Sequence, residues 1–490
     1  MKRSSALILT LALAGMAHDV RAIDSDQTPR PIPLTRPEMK QYLEDMKDRK
    51  PRIPLPELTD EDRAKLGERG DSYESRLRYH YLPGGDTGRT APAGGNAAGA
   101  MRRVEEVGRL GGFGFAGGGR EADSDMTLDY AFKTQLFWIV SRTNNCQYCL
   151  GHQESKLLAA GMQEDEIAAL DSDWSRFSPA QQAAYAYARK LTFEPQQIGD
   201  ADIQGLRTHF TDKQILEMTL SIAGNNAINR WKEGAGIPQS SNGGNFGTRR
   251  PGEAAPTEKT ERPTARHSYL TPTSPQFASA VTKVAPVVAD PATGEPARQT
   301  VFRRAPLEPR AQAEAALKVA SQRAPRLPVA DEATTRPLLP EQFPAGAVPQ
   351  WARLLATFPN SAKTRISGVM AAETRGDLSP LVKAQVSWII ARQDRAWYAA
   401  AQARRRLQEL GWNDDQIFAL DGDGSEFTPA ERAIFTVARK LSATPVVLTD
   451  ADVTAAVQQI GPRDVVQLIS YTTHRVSFDR VTEAAGLTAE

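Results

Sequence analysis

From Thr127 onward, and again through residues 377 to 488, apolar and polar positions alternate with the spacing of amphipathic helices. Ser178 and Thr428 are N-cap residues followed by proline at the first helical position, where a missing N–H costs nothing. Asp200, and Thr449 or Asp450, are placed to cap the next helix, and Thr211 with Gln214 has capping-box spacing for a helix over Asp212 to Lys232. Strand signals are missing from both stretches, so the pattern predicts an all-α fold. Upstream, residues 23 to 95 are polar and proline-punctuated, with helices predicted over Arg36 to Lys47 and Thr59 to Gly67. Glycine runs at Gly94-Gly95 and Gly117 to Gly119 break the pattern before the helical region begins, so a domain starts near 100 to 125.

The two helical stretches are copies. Leu170-Asp171-Ser172-Asp173 with Phe177-Ser178-Pro179-Ala180 recurs as Leu420-Asp421-Gly422-Asp423 with Phe427-Thr428-Pro429-Ala430, a shift of 250 residues. Without a gap, the same shift aligns Gln135 with Gln385, Trp138 with Trp388, Arg142 with Arg392, Arg189 with Arg439, Asp202 with Asp452 and Arg230 with Arg480. One register held over a hundred residues marks a duplication. Each half is expected to be a helical bundle, and two like domains on one chain can pair with each other in place of, or alongside, homo-oligomer formation. Between them, residues 237 to 349 hold 17 of the 33 prolines and few aromatics, which predicts an extended linker with a short helix over Ala311 to Gln322.

Length fits this division, since 490 residues exceed what one core organises. The chain begins Met1-Lys2-Arg3, continues with an apolar stretch from Ala6 to Ala17, and reaches small residues around Arg21. That is the layout of a secretory signal peptide. The stretch is interrupted by His18, Asp19 and Arg21, short of the roughly twenty apolar residues a membrane span needs. The expected organisation is a signal peptide over 1–22, an extension over 23–100, a first domain over 101–238, a linker over 239–345 and a second domain over 346–490. The expected location is periplasmic or extracellular. A net charge of +1 gives no electrostatic case for nucleic acid as a partner.

Two cysteines are too few for a disulfide scaffold, and their placement gives them another meaning. In Asn144-Asn145-Cys146-Gln147-Tyr148-Cys149-Leu150-Gly151-His152, either asparagine can cap the next helix, so both thiols fall in its first turns, where the helix dipole favours a thiolate. Cys146, Cys149 and His152 follow one another at i, i+3 spacing, so the imidazole can exchange a proton with Cys149. A structural disulfide over so short a loop removes little unfolded-state entropy, and two Cys plus one His leave a zinc site one ligand short. Redox chemistry is the reading that uses all three residues.

These residues resemble the carboxymuconolactone decarboxylase and alkylhydroperoxidase D-like superfamily: a CxxC at a helix start, a His one turn later, an Asn before the first Cys, and a helical repeat. The resemblance covers residues 127 to 238 and, through the repeat, 377 to 488. It implies that Cys149 attacks a hydroperoxide and becomes a sulfenic acid, that Cys146 resolves it as a disulfide, and that His152 carries the proton. It also implies a helical bundle of that family's type in each half. Two departures stand out. The family's His lies four residues after the second Cys, whereas His152 lies three after Cys149, and the family's relay Glu, about twelve residues before the first Cys, is here Thr134. Glu154 is the candidate to take the relay's place.

The second copy is an internal control. Cys146, Cys149 and His152 become Ala396, Ala399 and Gln402, so the three reactive groups vanish together. Residues kept in both copies, Arg142, Gln135, Arg189 and Arg230 among them, are therefore assigned to the fold, and Trp138 and Trp388 to the core. Asn225, Asn226 and Asn229, replaced by Arg475, Val476 and Asp479, either line the active copy's pocket or sit exposed on a helix. His209 is assigned to the surface or the scaffold. The expected function is an exported peroxidase-like (peroxiredoxin-type) or thiol–disulfide oxidoreductase that takes a hydroperoxide and a thiol electron donor, with no bound cofactor. The alternatives are a lactone decarboxylase or isomerase with His152 as base, and a non-catalytic helical binding or assembly module.

Overall fold

Among the described residues every regular element is a helix, and extended pairing is confined to one isolated bridge between Thr35 and Val281. The computed structural model describes residues 29–67, 70, 72–83, 124–239, 268–282 and 306–489. The expected signal peptide, both glycine runs and residues 240–267 and 283–305 of the expected linker lie outside these.

The extension contributes α1 (Arg36–Asp45), α2 (Asp60–Leu66) and α3 (Tyr73–Tyr81), of which the third was not anticipated. The first copy follows as α4 (Tyr130–Thr143), α5 (Gln147–Ala159), α6 (Glu164–Ser172), α7 (Pro179–Phe193), α8 (Asp200–Arg207) and α9 (Asp212–Gly234). After α10 (Arg310–Ala320) and α11 (Pro359–Thr374), the second copy repeats the series as α12 (Pro380–Asp394), α13 (Trp397–Glu409), α14 (Asp414–Ala419), α15 (Pro429–Ser442) and α16 (Asp450–Ala484). The helix starts follow the sequence signals: Ser178, Thr211, Thr428 and Thr449 are N-caps in capping boxes with Gln181, Gln214, Glu431 and Asp452. At α8 the cap is Gly199, not Asp200; the Gly199 N–H donates to Asp202 Oδ2 at 2.7 Å, so Asp200 already lies inside the helix. α16 is two helices across a break at Gly461, whose φ of 80° is strained for any residue with a Cβ. The break falls where Thr211 separates α8 from α9.

Trp138 on α4 and Trp388 on α12 are fully buried at the centres of the two bundles. Each such burial removes on the order of 200 Å² from water, roughly 5 kcal/mol before chain entropy is counted. Their indole N–H groups find acceptors in Glu154 (3.2 Å) and Asp421 (2.9 Å). The shared polar residues hold the fold, as the repeat implied. Arg142 pairs with Asp171 at 2.9 Å and Arg392 with Asp421 at 2.8 Å, tying the end of α4 to α6 and the end of α12 to the turn after α14. Arg189 lies over the Trp174 ring, and Gln135 accepts from Tyr185 at 2.6 Å. α9 and α16 pack against each other, bringing the two copies into one body.

The expected linker needs correction wherever it is described. Residues 268–282 lie on the extension and the first copy: Lys40 of α1 donates to Thr271 O at 2.8 Å, and Phe277 packs on Ala168 and Ala169. Residues from 306 onward lie on the second: Leu317 and Leu327 are buried, and Arg323 pairs with Glu483 at 2.6 Å. The described residues between 306 and 345 are therefore packed on the second bundle and do not form an extended linker. The prolines misled because several serve as helix starts, with Pro309 the N-cap of α10 and Pro349 that of a short helix over Gln350–Leu355. The extension is likewise docked, Arg36 on Glu154 and Glu164 of the first copy and Arg52 on Asp450 of the second. Among the described residues no helix is long and apolar enough to cross a membrane.

Candidate functional site

α4 hands over to α5 through one residue in the left-handed region, Asn145 at φ 57°, which reverses the chain so that the Cys146 N–H returns to Ser141 O at 2.9 Å. The N-cap of α5 is therefore Cys146 itself, and neither Asn144 nor Asn145 takes that role. Both asparagines act on the turn instead. Asn145 donates to the carbonyls of Arg30 and Pro31 at 3.3 and 3.2 Å, while Asn144 donates to Asn226 and Asn229 at 3.0 and 2.9 Å. Asn226 and Asn229 are fully buried, so the exposed-helix reading of them is corrected. They reach on to Thr192 and Ser141, forming an amide network that fixes the backbone before the first thiol.

The second copy builds the same turn without the chemistry. Arg395 has φ 51°, the Ala396 N–H returns to Ala391 O at 2.8 Å, and Ala396 is the N-cap of α13. The turn is a property of the fold, and the sulfurs are an addition to it.

Cys146 and Cys149 are both reduced and buried, at 0% and 2% exposure. They are hydrogen-bonded to one another. Burial, the Cys149 thiol and the Glu233 carboxylate together push the Cys146 thiol well above its ordinary value, opposed by the Cys149 backbone N–H. The thiolate expected from the helix dipole is thus not favoured at Cys146. His152 packs against Tyr148 in a tilted arrangement, ring centroids 4.6 Å apart. Burial first, and then Lys232 and Lys156, lower its pKa to about 4, so the imidazole is neutral at physiological pH. Lys232 lies over the Tyr148 ring and pairs with Glu74 of α3.

Glu154 stands apart from this group. It accepts from Arg36 at 2.9 Å and from Trp138, on the side of α5 that meets the extension, where it anchors α1. Thr134, at the position of the family's relay Glu, spends its hydroxyl on Tyr130 O at 2.9 Å. His209 is exposed in the turn after α8.

Four residues near the thiols were not picked out from the sequence. Glu233, at the end of α9, neighbours the Cys146 thiol, and its Oε2 pairs with Arg49 at 3.2 Å and Arg30 at 3.3 Å. Arg52 donates to the Glu233 carbonyl at 2.7 Å, so the arginines also cap the negative end of α9. Glu233 gave no signal because it lies far along the chain and recurs as Glu483, which the repeat files with the fold. Arg30, Arg49 and Arg52 belong to the extension, which the family resemblance leaves out.

A cavity of about 520 Å³ opens in the second copy beside the turn, lined by residues that include Gln393, Arg395, Asp421, Arg439 and Thr444. In the first copy the matching residues Asn145 and Asp171 are covered by Arg30, Pro31 and Thr282. The chain's own segments therefore close over the thiol-bearing turn.

No protein-family model matches the chain, and no curated protein matches it.

Proposed function

We propose that this chain is an exported thiol-dependent peroxidase of the alkylhydroperoxidase D-like type, acting through Cys149 and Cys146. The supporting observation is the pairing itself. Two reduced, hydrogen-bonded thiols stand at the start of a helix in one copy, and an identical backbone turn in the other copy carries alanines in their place. In the proposed cycle the Cys149 sulfur attacks the distal oxygen of a hydroperoxide ROOH, giving Cys149 sulfenic acid and ROH. Cys146 then attacks the Cys149 sulfur, forming the disulfide and releasing water. An external dithiol returns both to thiols. Burial requires that the oxidant be small or that the cover of residues 30 to 52 give way. His152 is a weak base with a pKa near 4, which tells against the lactone decarboxylase or isomerase alternative.

The burial of both sulfurs favours one other reading, a non-catalytic bundle whose paired copies serve assembly. The deciding experiment is hydroperoxide consumption with a dithiol donor. Loss of turnover in Cys149→Ser, with a dimedone-trappable sulfenic acid persisting on Cys149 in Cys146→Ser, supports the peroxidase. Wild-type thiols that stay unoxidised by hydroperoxide point to the assembly role.

A further inference from the structure

Resting on the thiol-pair reading above, we infer that Glu233 is the proton acceptor for Cys146 when that thiol closes the disulfide, filling from α9 the place of the relay carboxylate that the chain lacks before its first cysteine.

The two copies make the case. In the second, Glu483 has both oxygens engaged: Arg323 pairs with Oε1 at 2.6 Å and with Oε2 at 3.0 Å, and the Trp397 N–H at the start of α13 donates to Oε2 at 3.0 Å. There it is a helix cap. In the first copy the carboxylate is turned to different use. Arg49 and Arg30 hold Oε2, while Oε1 is buried and makes no close hydrogen bond among the described residues. The Cys146 thiol, which occupies the position of Ala396, neighbours this carboxylate. A buried carboxylate oxygen left without a hydrogen bond is costly, and a neighbouring thiol that must lose a proton gives it a use. The arginines fix its orientation from the extension side, and the Cys149 sulfur faces the same thiol from α5.

The step balances. Cys146 S–H attacks the Cys149 sulfur of the sulfenic acid, its proton passes to Glu233, and Glu233 hands a proton to the departing hydroxide, which leaves as water. Glu233 ends as it began. Because the proton moves on to hydroxide, the carboxylate need not be a strong base, which suits a group that burial would make more basic but that Arg49, Arg30 and Arg52 hold below its ordinary value.

Methyl methanethiosulfonate tests this without any peroxide, by leaving a methylthio group on Cys149 that Cys146 displaces as methanethiol. Mass spectrometry of quenched, full-length protein follows closure from pH 5 to pH 9, with Cys146→Ser as the variant that holds the mixed disulfide. Wild type is expected to close with little dependence on pH. Glu233→Gln is expected to close at least tenfold more slowly at pH 7 and to speed up in proportion to hydroxide, and Glu233→Asp to recover the flat profile in part. A Glu233→Gln rate and profile equal to wild type overturns the inference and leaves the thiol pair standing. Slower closure with an unchanged profile assigns Glu233 a structural role and overturns it too. Failure of the reagent to label native wild type removes the working thiol pair and this inference together.

Discussion

Arg230 and Arg480 hold the same position in the two copies, and each donates to the backbone of the other copy. Arg230 reaches Ser442 O at 3.1 Å and Arg480 reaches Thr192 O at 2.8 Å, and Thr192 and Ser442 are themselves equivalent under the repeat. An interface in which residue i meets j and j meets i is the signature of two-fold pairing, here made within one chain. Thr444 sits on the seam between them, accepting from Arg230 at 2.7 Å and donating to Thr192 O at 3.3 Å.

Symmetry of position does not mean symmetry of energy. Arg480 pairs with the fully buried Asp394 at 2.7 Å, whereas Arg230 has the neutral Asn226 amide at 2.9 Å. Arg480→Met strands a buried carboxylate and should cost about 3–5 kcal/mol. Arg230→Met loses hydrogen bonds to neutral groups and should cost about 1–3 kcal/mol. Thermal unfolding of the two variants side by side reads the difference, and equal losses would show that Asp394 is not charged in the folded chain.

The extension is pinned by a second buried pair. Arg36 is 2% exposed and meets both Glu154 and Glu164. Arg36→Met should destabilise the chain by about 3–5 kcal/mol, because it leaves the buried Glu154 without its ion-pair partner. Removing both charges with Arg36→Met and Glu154→Leu should recover most of that loss. Unfolding curves that show the double variant no better than the single one would refute the stranded-charge account.

Acid should weaken the fold in two windows. The first comes from His152, which titrates near 6.5 when unfolded and near 4 when folded, because burial and Lys232 disfavour the cation. Its folded pKa is depressed, so its contribution is complete above 6.5 and is lost as pH falls toward 4, on the order of 3 kcal/mol. His474 of the second copy behaves alike. The second window is Glu74: burial would raise its pKa, but Lys232 and Arg78 outweigh this and hold it far below 4.5, so its contribution is lost below that value. His152→Gln should flatten part of the loss between pH 6.5 and pH 4 and leave the lower window intact; Glu74→Gln should do the reverse. Melting temperatures across pH 3 to 7.5 test both, and a His152→Gln curve parallel to wild type counts against a buried neutral imidazole.

What the sequence made legible was local. Ser178, Thr211, Thr428 and Thr449 announce helix starts because a cap and its partner lie three residues apart, and the repeat exposes Arg142, Arg230 and Trp138 as fold residues by keeping them where the thiols are gone. What it hid was tertiary. Asn226 and Asn229 read as ordinary helix polar residues until α9 is seen to face Asn144, and Glu233 reads as scaffold until Cys146 is seen beside it. The proline-rich stretch after residue 305 looked unable to fold alone, which holds for a free chain but not for one lying on the second bundle, where Leu317 and Leu327 are covered. Burial of the thiols was equally out of reach, since the covering residues come from segments that composition marks as polar.

One glycine records how those segments settle. Gly151 lies inside α5, where glycine costs roughly 1 kcal/mol against alanine, and the matching residue of α13 is Ala401. A Cβ at 151 would stand 2.7 Å from both Gln239 Nε2 and the Tyr269 hydroxyl, so the missing methyl is what lets residues 268–282 lie on α5. Both clashing atoms are the far ends of flexible side chains, and the helix itself gains from alanine. Gly151→Ala should therefore leave the bundle's melting temperature within a few degrees of wild type while lifting Tyr269 and speeding hydrogen exchange of the amides over 268–282 several-fold. Tyr269→Ala should produce the same faster exchange without altering α5. Unchanged exchange in both variants would mean that Lys40 and Glu44, which bond Thr271 and the Tyr269 N–H, hold the strap without help from the contact at Gly151.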